Sequence, residues 1–336
     1  MTPTSKRIVD QARRLADGAL EATVVGSFSR VGFAARHALF HWDGEPAADL
    51  TGQVALVTGA TGGIGLATAH ALAARNAHVW IVGRDADRTE AARGQIVAAT
   101  PGAQVSTVVA DLSVLADVRH CAETVWHGSS RLDVLVHNAG ALTHELQYTD
   151  DGLEITAQVH VVAPFLLTTM LLACLGATGG SRVITVSSGG MYTQALDLDL
   201  LEAPLPPFDG TRAYANAKRA QVVLNERWAQ HPAASGVTFQ AMHPGWADTP
   251  GVQTALPRFR ALMRPLLRTP AQAADTIIWL ASAPQALEHN GAFWLDRRRR
   301  MTEPLPWTRT PSEAAERLWN WCADRAGVGA ELREPA

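Results

Sequence analysis

A short apolar run, Val54-Ala55-Leu56-Val57, passes through Thr58 into Gly59-Ala60-Thr61-Gly62-Gly63-Ile64-Gly65 and then into a helix-like stretch over 64–75. A strand that turns straight into a helix through glycines opens a βαβ unit. The chain then keeps that rhythm. Strand-like runs at 79–82, 105–110, 132–137, 182–186 and 237–242 alternate with helical stretches near 85–99, 114–127, 150–175 and 214–230. A short strand-like run follows at 291–296. Such alternation predicts a parallel sheet covered on both faces. The expected fold is α/β, a doubly wound, Rossmann-like parallel sheet forming one domain over 51–296. An N-terminal helical extension, 1–50, precedes it, and an irregular C-terminal tail, 297–336, follows.

Gly59, Gly63 and Gly65 are spaced one residue wider than the shortest dinucleotide fingerprint. Glycine lets the turn close and lets phosphate oxygens reach backbone N–H groups. The helix N-terminus beyond adds unpaired donors and a positive dipole end. A dinucleotide is therefore expected here, over Gly59, Thr61, Gly63, Ile64 and Gly65. The end of the second strand should read the cofactor's ribose. Arg84 comes first there and can pair with a 2′-phosphate; Asp85 can cap the next helix. NADP(H) is expected over NAD(H).

Bulk properties exclude several classes. Apolar residues make up 47% of 336, and the formal charge is −3, so the totals carry no nucleic-acid signal. Cys121, Cys174 and Cys322 are too scattered for a zinc cluster or disulfide framework, so no metal is expected and a reducing cytoplasm fits. The first 25 residues lack an apolar secretory core. Val159–Ala177 holds no charged residue and is about long enough to span a membrane. Lying between two expected strands, it reads instead as a buried helix, with a homo-oligomer contact left open. Phe28, Val31, Ala35, Leu39 and Trp42 recur at helical spacing. That pattern fits a helix docked on the domain, with peripheral membrane contact through residues 27–42 as the alternative. Loops 190–213 and 247–270 are proline-rich and read as binding lids. Arg297–Arg300 reads as a solvated basic run.

Tyr214 and Lys218 stand four apart in a chain with three tyrosines and two lysines. On a helix they share a face. A phenol titrates near 10, too high for acid/base work at neutrality, and a neighbouring ammonium lowers it. The tuned tyrosine can then move a carbonyl's proton. Ser187 and Ser188 follow the strand ending at Val186, at the sheet edge where α/β ligands bind.

The motifs at 58–65, Asp111-Leu112, Asn138-Ala139-Gly140, Ser187-Ser188, Tyr214 with Lys218, and Pro244-Gly245 stand in the order of the short-chain dehydrogenase/reductase family. The chain resembles that family over about 50–296. Stretches 182–191, 207–211 and 242–252 resemble a retinol-dehydrogenase-like branch of that family. The resemblance implies roles. Gly59, Gly63 and Gly65 would cradle the pyrophosphate, and Asp111 and Leu112 would flank the adenine. Asn138, Ala139 and Gly140 would line the cofactor and brace the sheet. Ser188 would hold the substrate oxygen, and Tyr214 would be the acid/base. Lys218 would grip the nicotinamide ribose and lower the tyrosine's pKa. Pro244, Gly245 and Thr249 would border the nicotinamide. At His160 the family usually has an asparagine that helps a water relay protons. An imidazole can both donate and accept, so His160 either keeps the relay or merely packs. The expected activity is NADP(H)-dependent hydride transfer between nicotinamide and a carbonyl/alcohol pair. The apolar residues Met191, Leu196, Leu198, Leu200, Leu201 and Trp246 suggest a lipophilic substrate. The alternative is a cofactor-binding pseudoenzyme weakened at His160.

Overall fold

The computed structural model describes residues 3–44, 48–177, 179–204, 207–249, 253 and 257–329. Parts of both expected lids (205–206, 250–252 and 254–256), the end of the tail (330–336) and, within the expected extension, residues 1–2 and 45–47 lie outside the described residues. The central sheet has eight strands in the order β3-β2-β1-β4-β5-β6-β7-β8. They are β1 (Val54–Thr58), β2 (His78–Gly83), β3 (Val105–Val109), β4 (Val134–His137), β5 (Ser181–Val186), β6 (Val237–Met242), β7 (Ala292–Leu295) and β8 (Arg298–Arg300). The first seven run parallel; β8 pairs antiparallel with β7. This is the doubly wound α/β fold. Its strand order reverses between β1 and β4, and ligands of open α/β sheets bind beyond the carboxyl ends at such a point.

Alternate residues of each buried strand feed two cores. Val54 and Leu56 of β1 join one cluster, Ala55 and Val57 the other. Naming helices in chain order, α1 (Pro3–Glu21), α2 (Val24–Phe28) and α3 (Arg30–Phe40) precede the sheet. Helices α4 (Gly63–Ala73) and α5 (Ala86–Ala99) cover one face, and α6 (Leu115–Gly128) covers the other. The apolar run 159–177 forms most of α7, Ile155–Gly176, with Ala177 as its C-cap; the helix has a π-turn over Gln158–Val162. Short α8 (Leu198–Glu202) leads to α9 (Gly210–Trp228), whose start Asp209 caps by accepting from the Thr211 and Arg212 N–H groups. Then come α10 (Pro257–Met263), α11 (Pro270–Ser282) and α12 (Ser312–Ala326).

Three expectations are corrected. The tail is not irregular: it supplies β8 and α12. Leu318, Trp319 and Cys322 of α12 are fully buried, and Trp319 packs its ring 5.0 Å from Phe165 of α7 and 4.6 Å from Trp228 of α9. Phe165 of α7 is thus covered within the chain itself. The basic run is not a solvated patch. Asp296 and Arg297 form a two-residue hairpin turn with φ of 53° and 55°, the left-handed pair such turns require. The Arg297 guanidinium then pairs with Asp275 at 2.6 Å and lies over Trp42, while Arg300 pairs with Asp17 at 2.8 Å. Residues 27–42 are not one helix, because Ser29 breaks them and its hydroxyl caps α3. Their aromatic residues Phe28, Phe33 and Trp42 are buried against the domain, whereas Val31 is exposed. Docking is what this segment does in the structure.

Candidate active site

At the end of β1 the chain makes the expected turn, with Gly59 and Gly63 at φ of 64° and 56°. A Cβ on Gly59 would sit 2.8 Å from the Ala139 backbone, so only glycine lets β1 and β4 approach this closely. A Cβ on Gly65 would collide with the Asn138 amide and the Gly59 carbonyl. The half-buried N-terminal turn of α4 faces the sheet's carboxyl edge. This cradle fits a pyrophosphate, with Thr61 and Ile64 on its rim. Asn138 bridges the two strands: its Nδ2 donates to Thr58 O at 2.9 Å and Gly59 O at 3.2 Å. Thr58 opens the 58–65 motif, which assigned it no role of its own. Its hydroxyl oxygen accepts from the Asn138 and Ala139 N–H groups at 3.0 and 3.1 Å and fixes the start of that loop.

Arg84 is exposed just past β2, and no hydrogen bond or ion pair reaches it among the described residues. Asp85 caps α5, accepting from Arg88 N at 2.8 Å. The carboxylate that could compete for a ribose is therefore committed to the helix, and the guanidinium is not. Asp111 is held as an Asx turn by Ser113, whose N–H and hydroxyl donate to it at 2.9 and 2.7 Å, with Leu112 buried beside it.

Ser188, Tyr214, Lys218 and His160 come together at the carboxyl end of β5. Burial raises the pKa of the Tyr214 phenol, and the neighbouring Ser188 side chain acts against that rise. Lys218 Nζ donates to Val186 O at 2.8 Å and lies 5.5 Å from the Tyr214 ring centroid. Burial pulls Lys218 down to about 7. The expected lowering of Tyr214 by its lysine is thus not seen in this structure, because burial sets the direction of the shift. Ser187 is structural, its hydroxyl donating to Lys218 O at 2.9 Å.

His160 is fully buried on the π-turn, its ring edge-on to Tyr214 with centroids 5.3 Å apart. Its Nε2 stands 2.8 Å from Ala141 O and 3.0 Å from Ala141 N. Burial first, then the Lys218 charge, push it well below its ordinary 6.5, against the hydrogen bond to Ala141. A Cβ on Gly140 would strike the His160 ring at 2.7 Å, so the glycine makes room for it. The His160 backbone carbonyl accepts from Gln221 Nε2 at 2.9 Å.

Pro244, Gly245 and Thr249 lie in the loop after β6. Gly245 has a φ of 72°, and a Cβ there would meet Arg268 and the Phe28 carbonyl. Arg268, fully buried, pairs with Asp296 at 2.6 Å and donates to Pro244 O at 3.3 Å. Neither Phe28, Arg268 nor Asp296 stood out as a site residue, since each acts through partners distant in sequence.

A dinucleotide cradle at the strand-order reversal, with serine, tyrosine and lysine gathered at the same sheet edge, defines a nicotinamide-dependent oxidoreductase of the α/β class. The family model described as short chain dehydrogenase matches residues 53–258. Dehydrogenase/reductase SDR family member 12 of Homo sapiens is 43% identical over 269 residues, covering 80% of this chain and 83% of that protein. Retinol dehydrogenase 13 of Mus musculus is 32% identical over 289 residues, covering 84% and 86%. Among solved structures, 3-ketoacyl-(acyl-carrier-protein) reductase from Brucella melitensis, complexed with NADH, is 28% identical with a TM-score of 0.58, covering 73% of this chain and 96% of that one. The chain belongs to the short-chain dehydrogenase/reductase family, oxidoreductases that act on CH–OH or carbonyl groups.

Proposed function

We propose that this chain is an NADP(H)-dependent carbonyl reductase or alcohol dehydrogenase for a lipophilic substrate, with Tyr214 as its acid/base. The observation that carries the reading is the gathering of Ser188, Tyr214 and Lys218 at the carboxyl edge of the sheet, with Lys218 Nζ 5.5 Å from the Tyr214 ring centroid. When bound, the nicotinamide supplies or accepts the hydride. In reduction the Tyr214 phenol gives its proton to the carbonyl oxygen, and in oxidation it takes the alcohol's proton. Ser188 donates a hydrogen bond to that oxygen and fixes its place. Lys218 offers its ammonium to the nicotinamide ribose.

The fold itself accommodates either nicotinamide cofactor; the preference rests on Arg84, an uncommitted guanidinium where a 2′-phosphate would lie. Lipophilic substrate chemistry is supported by the half-buried Tyr192, Leu196 and Trp246 along the loops beyond the serine and β6, and by the retinol dehydrogenase relative; Met191, expected to join them, is buried in the core with Val222 and Phe293. Cofactor titration followed by turnover on a panel of lipophilic ketones, aldehydes and alcohols tests the reading. NADPH-dependent turnover of an apolar carbonyl is expected. Failure to bind either NADPH or NADH would overturn it.

A further inference from the structure

Phe28 belongs to the N-terminal extension, yet its ring is wedged between two loops of the cleft. On one side is the segment directly after Ser188. A Cβ on Gly189 would overlap the Phe28 ring, and Tyr192 stacks on it at 6.4 Å. On the other side is the loop after β6, where His243 lies edge-on at 4.5 Å and Trp246 at 5.9 Å. The backbone joins in: Trp246 N donates to Phe28 O at 2.8 Å.

A buried ion cluster fixes this wedge. Arg268 Nε donates to Phe28 O at 3.0 Å, and its Nη2 donates to Ser27 O at 2.9 Å and Asp296 at 2.9 Å. Arg36, fully buried, donates to the same Asp296 oxygen, Oδ2, at 2.9 Å, to Asp17 at 2.7 Å and to Ser27 O at 3.0 Å. Two guanidiniums therefore share one carboxylate from the β7–β8 turn and clamp the same stretch of N-terminal backbone. Arg268 also touches Pro244 O, so the cluster reaches the loop expected to border the nicotinamide. Simple docking of an extension would need apolar contact only; buried, multiply paired charges fix geometry instead.

We propose that Phe28 is a positioning residue of the active site, holding the Gly189–Thr193 and His243–Thr249 segments at the separation that nicotinamide binding requires. The N-terminal extension is then a working wall of the cleft. This rests on the reading that Pro244 and Gly245 border the nicotinamide.

The test compares Phe28→Ala, Phe28→Leu and Trp42→Leu in the full chain. Trp42 anchors the same extension but faces Phe33, His37 and Arg297, away from both loops. NADPH affinity is measured by fluorescence titration, and hydrogen exchange is followed at 189–193 and 243–249. Phe28→Ala should weaken NADPH binding about tenfold or more and speed exchange in both segments. Phe28→Leu, which fills part of the wedge, should fall between it and the parent. Trp42→Leu should lower the melting temperature while leaving affinity and those exchange rates unchanged. Parent-like affinity in Phe28→Leu and Phe28→Ala, or an equal loss in Trp42→Leu, overturns the proposal. If Phe28→Ala does not fold, parent-like affinity in Phe28→Leu overturns it alone. A parent protein that binds no nicotinamide nucleotide defeats the underlying functional reading as well, a failure seen without any variant.

Discussion

Lys218 donates its Nζ to the backbone carbonyl of Val186 at 2.8 Å. That single bond ties α9 to the last residue of β5, immediately before the serine pair. The lysine is buried and its pKa falls to about 7. A base whose folded pKa lies below its unfolded one near 10.4 binds fewer protons when folded. Its burial cost is fully present below about pH 7 and is relieved as pH rises toward 10.

The cofactor-free parent should therefore gain stability from Lys218 between about pH 7 and 10, by roughly 5 kcal/mol at most. Lys218→Met should lack that rise and bind the nicotinamide cofactor more weakly. Urea unfolding at a series of pH values checks both chains. Parallel stability curves across that window would show that Lys218 keeps an ordinary pKa.

Arg84→Ala should cost NADPH binding much more than NADH binding. A charge-assisted pair contributes about 1.5–3 kcal/mol, or roughly ten- to hundredfold. Titration with both cofactors decides it. Equal losses would mean that Arg84 does not meet the 2′-phosphate.

His160 should stay neutral through the working pH range, since burial and the nearby ammonium both oppose its charge. The parent and His160→Asn should then give kcat–pH profiles of the same shape, with kcat kept or raised in the variant. His160→Leu should impair turnover, because an apolar group can neither bond Ala141 nor hold a relay water. A break near pH 6.5 present in the parent and absent from His160→Asn would show that the imidazole does titrate. Identical activity in all three would reduce His160 to packing.

What was legible in the sequence followed from local constraint. Gly59 and Gly63 need left-handed backbone, and β-strand runs buried on both faces must be continuously apolar, so both leave a mark at fixed spacing. The Tyr214–Lys218 pair was legible because helical geometry converts a spacing into a shared face. The N-terminal extension was only half legible. Its apolar spacing was visible, but Arg36 meets Asp296 across 260 residues, and no local pattern encodes that. The arginine run misled for the same reason: its partners Asp17 and Asp275 come from other parts of the chain. Helix α12 did carry a signal, with Ala315, Leu318, Trp319, Cys322 and Ala326 at helical spacing. The pKa of Tyr214 could not be read from its neighbour's identity, because burial, a tertiary property, sets its direction.

Tyr214→Phe decides most directly whether this cleft performs proton-coupled hydride transfer through the phenol. The variant deletes one hydroxyl and leaves the ring against His160 in place. With a substrate established for the parent, kcat should fall to background while NADPH affinity stays within about threefold, since the phenol's proton is needed in the reaction and little in binding. Near-parental kcat in Tyr214→Phe would contradict the assignment of Tyr214 as the acid/base.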